Sequence, residues 1–169
     1  PEGVYYRALG DQSRQIQQSV DDLQNNIITA LILVVGIIVF FMGVRPSLFV
    51  AFSIPLSMFG AMLVLQALGF TLNMVVLFSL ILALGMLVDN AIVVVENVYR
   101  HAEMGKDRRL AAIDGTAEVA IAVAASTATT VAAFFPLVFW GGIMGEFMGF
   151  LPKTVIIVLV MSLFVAVGI

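Results

Sequence analysis

Cysteine is absent from this sequence of 169 residues, and histidine and tryptophan occur once each. Without cysteine there are no disulfide bonds and no thiolate metal sites. Cysteine content therefore does not indicate whether the protein lies in an oxidising or a reducing compartment. Charge is also scarce: only 11% of the residues are Asp, Glu, Lys or Arg, against about 25% in soluble domains. No basic patch is interleaved with aromatic residues, which argues against a nucleic-acid partner.

Apolar residues are what the sequence has in excess, at 62% of the chain. They form runs of roughly 18–24 residues, the length at which a helix crosses the hydrocarbon core of a bilayer. We therefore predict an all-α membrane protein, a polytopic bundle of about five transmembrane helices embedded in lipid. The predicted spans are 23–44, 47–68, 72–99, 118–140 and 152–169. The chain starts at Pro1 and stops inside an apolar run, so we expect the last span to be truncated and the sequence to be an excerpt.

Two longer polar segments lie outside these spans. Residues 1–22 are polar and predict a lead-in helix in water. Residues 100–117 predict a charged loop, in which Asp107 or Gly105 can start a short amphipathic helix. If the spans alternate, most basic residues fall on one side of the membrane, the side that the positive-inside rule assigns to the cytoplasm. These residues are Arg45, Arg100, Lys106, Arg108 and Arg109. Loop 100–117 is thus predicted to be cytoplasmic and the N-terminal segment to lie outside the cytoplasm.

Asp89 is an acid inside the third predicted span. A carboxylate at the bilayer centre costs about 2.5–3.5 kcal/mol on insertion scales, and such residues usually mark ion or proton paths. A carboxylate that is charged in one conformation and neutral in another can load and release a proton. The first hypothesis is therefore a proton-coupled transporter with Asp89 as the titrating group.

Gly85 and Glu96 stand four residues before and seven residues after Asp89, which places all three on one stripe of a helix. Gly85 would let another helix approach closely. Glu96 is a candidate secondary acid, but a solvated position near the helix end is the leading reading of this residue. Asn90 is rotated by about 100° from Asp89. It offers a hydrogen-bond donor and an acceptor but cannot titrate.

The predicted spans contain no Lys or Arg that could pair with Asp89. Either the cationic partner belongs to a part of the protein outside this sequence, or hydrogen bonds, such as one from Asn90, hold Asp89 neutral. The first alternative is the stronger because transport needs a group that changes charge. A third reading is that Asp89 is a paired structural acid with no part in transport.

The segment 85–100, GMLVDNAIVVVENVYR, resembles the fourth transmembrane helix of the resistance–nodulation–cell division (RND) transporters, in particular their hydrophobe/amphiphile efflux branch. Weaker matches follow in the right order over nearly the whole chain. They are DQSR at 11–14, Arg45-Pro46, GFTLN at 69–73, Phe135-Pro136 and Gly141-Gly142.

The resemblance implies that the five spans correspond to family helices two to six and that residues 1–22 end a periplasmic porter region. It also implies an inner-membrane proton/substrate antiporter that exports drugs or other amphiphilic compounds. Such a protein is a secondary active transporter rather than an enzyme, with protons as coupling ions and no cofactor. The expected assembly is a homotrimer with a periplasmic adaptor and an outer-membrane channel. The family's proton site adds a lysine and an arginine from later helices, in a second half that this sequence lacks.

One departure from the family pattern affects the proton site. Drug exporters of this branch often carry two adjacent aspartates, whereas this chain has Asp89 followed by Asn90. Both positions belong to the predicted proton-translocation site, but only Asp89 carries over as a proton carrier.

Three alternatives to a drug exporter fit the sequence less well. A heavy-metal exporter of the same superfamily is disfavoured because that branch usually has a small residue after the aspartate. An intramembrane aspartyl protease needs a second acid facing Asp89 from another span, and the other spans offer none. A non-transporting scaffold or sensor would tolerate the loss of the Asp89 charge.

Overall fold

The computed structural model describes residues 12–142, 145 and 148–168. This part of the chain forms five long helices, each long and apolar enough to cross a membrane. They are α1 Gln12–Met42, α2 Val44–Ala67, α3 Met74–Glu103, α4 Arg108–Val138 and α5 Phe150–Gly168. The predicted all-α polytopic bundle is confirmed. The end of the 1–22 segment forms the beginning of α1, while residues 1–11 fall outside the described part.

Glycine separates α1 from α2 without any loop. Gly43 has a φ of 86°, a left-handed conformation that glycine adopts without the strain of a side chain. Pro46 lies in the first turn of α2, where a missing N–H leaves no hydrogen bond unmade. Arg45-Pro46, predicted to lie before the second span, is therefore part of α2.

A short uncharged connection, residues 68–73, joins α2 to α3. Gly69, with a φ of 77°, follows the end of α2. Asn73 caps α3 because its side-chain oxygen accepts a hydrogen bond from the backbone N–H of Val76, at 2.9 Å.

The predicted loop 100–117 needs correction, because most of it is helical and the short helix expected to start at Asp107 or Gly105 is the first part of the long helix α4. α3 continues to Glu103, and α4 already begins at Arg108 after the cap residue Asp107, so only residues 104–107 connect the two helices. Hydropathy marks where a chain leaves the apolar core, not where a helix ends. A helix of this length measures about 45 Å, which exceeds a core of about 30 Å, so its charged end can stand in water.

α3 is the central helix, in contact with all four others and most extensively with α5 and α4. Its neighbours present small and hydroxyl-bearing side chains where the helices meet, which allows close backbone approach. The buried residues of this kind include Ser53, Ser57 and Ala61 on α2, and Thr154, Ser162 and Ala166 on α5.

One face of α3 packs against the bundle and the opposite face is exposed in this chain. The exposed residues recur at helical spacing: Phe78, Leu82, Gly85, Asp89, Val93 and Glu96. The buried face includes Leu80, Leu87, Ala91 and Val94. The residues of the predicted proton site are thus distributed around a helix with two different environments.

Candidate functional site

Asp89 lies near the middle of α3, 15 residues after Met74 and 14 before Glu103. At about 1.5 Å per residue it is about 20 Å from either end of the helix. Its side chain is exposed, and within the described part of the chain it has no hydrogen bond or ion pair. Of the two alternatives, hydrogen bonding from Asn90 therefore finds no support in the structure.

The predicted stripe of Gly85, Asp89 and Glu96 is present, since all three residues are exposed on the same face of α3. A Cβ atom added to Gly85 would meet no atom within 4 Å. Among residues 12–142, 145 and 148–168, no helix uses the space that Gly85 leaves open. The close helix approach predicted at Gly85 stays a prediction.

Asn90 points into the bundle, with 8% of its surface exposed. Its Nδ2 donates to Ser162 Oγ on α5 at 3.3 Å, and its Oδ1 accepts from Thr127 Oγ1 on α4 at 3.2 Å. Ser162 Oγ in turn donates to the carbonyl oxygen of Leu87 at 2.7 Å. Asn90, Thr127 and Ser162, called here the Asn90 clamp, connect three helices at one level.

Asn90 makes its hydrogen bonds to Ser162 and Thr127, so the alternative in which Asn90 holds Asp89 neutral has no contact to support it. A rotation of about 100° per residue separates the two side chains, and the packing of α3 places one outside and the other inside the bundle. Helical periodicity predicts this angle but does not show which residue faces the neighbouring helices. A proton-translocation role for Asn90 stays a prediction, and the structure shows no contact through which Asn90 would act on a proton at Asp89.

A second polar cluster, which the sequence analysis did not identify, joins the ends of α3 and α4. Glu118 on α4 accepts hydrogen bonds from three residues of α3: Asn97 Nδ2 at 3.3 Å, an Arg100 terminal nitrogen at 2.8 Å, and His101 Nε2, which lies 2.6 Å away. Asn97 and His101 follow Asn90 by seven and eleven residues, close to two and three helical turns. This spacing of polar residues was a signal that they share the buried face.

Gly115 allows α4 to approach α3 closely beside this cluster. A Cβ atom added to Gly115 would lie 2.7 Å from the Cα atom of Val98, so only glycine fits at this crossing. Its carbonyl oxygen accepts a hydrogen bond from Asn97 Nδ2 at 2.7 Å. Beyond the crossing, Lys106 Nζ and Asp114 Oδ2 form an ion pair of 2.7 Å.

These contacts bind α3 to α4 and α5 on one side and leave a carboxylate available on the other. A group that enters from the open face can reach Asp89 without disturbing the Asn90 clamp. Within the described residues, no group of three or more His, Asp or Glu side chains is arranged to hold a metal ion.

The helix bundle and its comparisons establish what class of protein this is. Five apolar helices long enough to span a bilayer define a multi-pass membrane protein. The model of the AcrB/AcrD/AcrF family matches residues 1–169, and the chain belongs to that family. The prediction of an RND efflux transporter is thereby confirmed at the level of the family.

Two curated relatives agree with this assignment. The multidrug resistance protein MdtC of Pantoea ananatis is 33% identical over 168 residues, which cover 99% of this chain and 16% of that protein. An uncharacterized transporter of Haemophilus influenzae is 36% identical over 146 residues, or 86% of this chain and 14% of that protein. The chain thus spans only a small part of the length of the relatives it matches.

Proposed function

We propose that this chain is part of a proton-driven efflux pump of the bacterial inner membrane, in which Asp89 carries the proton. The observation behind this proposal is a carboxylate near the middle of a membrane-length helix that is exposed and has no partner among the described residues. Leaving it against lipid would be costly. Its exposure is understandable if another polar surface of the pump covers this face.

The partner of Asp89 in this proposal is a cationic helix that lies outside the present sequence. The Lys and Arg residues of the described helices stand near helix ends, and the ion pairs they form are with Glu118 and Asp114. The much greater length of the relatives leaves room for such a helix. The open space over Gly85, one turn from Asp89, would let it approach closely.

The proposed cycle alternates between two states of Asp89. When charged, the carboxylate attracts the cationic helix; when protonated, it releases that helix and the packing on this face changes. A proton that crosses the membrane supplies about 2.3 kcal/mol per 100 mV, which is enough to bias a two-state rearrangement when a pH gradient adds to it. Transport would use this rearrangement to expel a substrate in exchange for protons.

The proposed surroundings follow from the family. They comprise a homotrimer in the inner membrane, a periplasmic adaptor and an outer-membrane channel, with the N-terminal segment of this chain on the periplasmic side. The basic residues at the α3–α4 connection favour this orientation. Drugs or other amphiphilic compounds are the proposed substrates, since the Pantoea relative is a multidrug resistance protein by name.

The test is Asp89→Asn in the full-length transporter, with Glu103→Gln at the exposed end of α3 as the matched control. Both changes remove one negative charge from the same helix, but only the first lies in mid-membrane. Dye export and substrate-driven proton flux are measured in everted membrane vesicles that contain equal amounts of each protein.

We expect Asp89→Asn to abolish both dye export and coupled proton flux, and Glu103→Gln to retain both. Proton-driven export at the parental rate in Asp89→Asn would refute the proposal and would favour a scaffold or another site of coupling.

A further inference from the structure

We propose that Asn90 is a positioning residue: through the Asn90 clamp it fixes the rotation of α3 about its axis and so holds Asp89 on the open face. This inference rests on the proposed role of Asp89 as proton carrier. It assigns to Asn90, Thr127 and Ser162 a function in transport that does not require any of them to carry a proton.

The hydrogen-bond pattern gives each polar side-chain atom of the clamp a role as donor or acceptor. A serine hydroxyl has one hydrogen, and that of Ser162 is directed to the Leu87 carbonyl oxygen at 2.7 Å. Ser162 Oγ therefore accepts from the amide of Asn90, which must turn Nδ2 toward α5. Oδ1 is then left to accept from Thr127 on α4. Asparagine supplies the donor and the acceptor that this site needs at the same time.

The clamp is buried, so water cannot replace its hydrogen bonds. Thr127 and Ser162 are 5% and 1% exposed. Two neighbouring hydroxyls on α4 behave differently: Thr129 and Thr130 donate to backbone carbonyls of their own helix. The hydroxyl of Thr127 instead crosses to α3, where its hydrogen bond restrains one helix relative to another.

Rotation is the motion that this restraint opposes. The apolar residues around Asn90 on α3, such as Leu87, Ala91 and Val94, pack without directional bonds. In a membrane, apolar side chains gain little by facing protein rather than lipid, so interhelical hydrogen bonds and close packing set the orientation of a helix. Asp89 directly precedes Asn90 on α3. Any rotation of this helix about its axis therefore displaces the Asp89 carboxylate by the same angle.

The experiment uses the full-length transporter, purified and reconstituted in liposomes with a fluorescent dye as substrate. Thr127→Val and Ser162→Ala each remove one hydrogen-bonding hydroxyl with little change of volume, and Asn90→Leu removes the central amide. Thr129→Val is the matched control, since it makes the same chemical change on the same helix outside the clamp. Coupled proton flux is measured as a function of pH, together with the melting temperature of each variant.

We expect the three clamp variants to move the pH of half-maximal flux in the same direction and to lower the rate about threefold per lost hydrogen bond. The double variant Asn90→Leu/Thr127→Val should be no more affected than Asn90→Leu alone, because both changes break one unit. The pH profile and the rate of proton flux in Thr129→Val should equal those of the parent.

Two results would overturn the inference. If the clamp variants melt at lower temperature but keep the parental pH profile, the clamp is structural only. If Asn90→Leu abolishes flux while Thr127→Val and Ser162→Ala match the parent, Asn90 acts directly on the proton. The Asp89→Asn variant separates these from a failure of the proposed function: an active Asp89→Asn transporter removes the premise, whereas an inactive one leaves the clamp as the only point in question.

Discussion

The crossing of α3 and α4 at Gly115 predicts a large effect from one added methyl group. In Gly115→Ala the new Cβ atom would lie 2.7 Å from Val98 Cα, 3.0 Å from Val98 N and 3.2 Å from the carbonyl carbon of Asn97. All three are backbone atoms, so no side-chain rotation can relieve the overlap. The two helices must move apart, or the chain must bend.

The size of this movement follows from the distances. Ordinary contact begins at 3.4 Å, so the backbones must separate by about 0.7 Å from the distance of 2.7 Å to reach it. The hydrogen bond from Asn97 Nδ2 to the Gly115 carbonyl oxygen, 2.7 Å long, would lengthen to the limit of its useful range. Overpacking costs about 1–3 kcal/mol and the weakened hydrogen bond about 1 kcal/mol, while alanine gains about 1 kcal/mol over glycine inside a helix. The net loss in the free energy of unfolding is about 1–3 kcal/mol.

Thermal unfolding of the full-length transporter in detergent measures this loss. Gly36→Ala is the matched control, because a Cβ atom at Gly36 in α1 meets no atom within 4 Å and should show the helix-propensity gain alone. We expect the Gly115→Ala protein to melt several degrees below the parent and the Gly36→Ala protein to melt at or above it. Equal melting temperatures for the two variants would refute the close approach of α3 and α4.

Two further predictions concern the α3–α4 connection. Glu118→Gln should lower the melting temperature more than Glu103→Gln, because Glu118 binds three donors including His101 whereas Glu103 is an exposed side chain; equal melting temperatures for these variants would contradict the cluster. Gly105→Ala should destabilise the protein by about 1–2 kcal/mol, because Gly105 has a φ of 86°, and the Gly36→Ala protein again provides the comparison in thermal unfolding. A Gly105→Ala protein as stable as the parent would show that the connection adopts another conformation.

The sequence predicted the helices well because hydropathy and breaker residues act locally. Gly43 and Gly69 fall where helices end, and the apolar runs coincide with the cores of the five helices. The predicted loop 100–117 was too long because polar composition does not stop a helix. Asp107 caps α4 and moves its start ten residues ahead of the predicted span at 118.

The candidate site was predictable only in part. Helical periodicity correctly placed Gly85, Asp89 and Glu96 on one stripe. It could not reveal that this stripe faces outward in the chain, nor that Asn90 would find its partners on α4 and α5, because those contacts join residues 37 and 72 positions apart. Such pairings depend on tertiary packing. The spacing of Asn90, Asn97 and His101 indicates a shared face of α3, but it does not show which residues of α4 and α5 they contact.

The open face around Asp89 also bears on how such a pump is assembled. A bundle that met lipid with this face would place a carboxylate in hydrocarbon, at an energy that protonation or association must offset. Insertion of these five helices is therefore expected to be an intermediate stage, complete only when a polar counterpart closes over α3. The side chain that is proposed to carry the proton during export would then also favour, during biogenesis, association of this bundle with its polar counterpart.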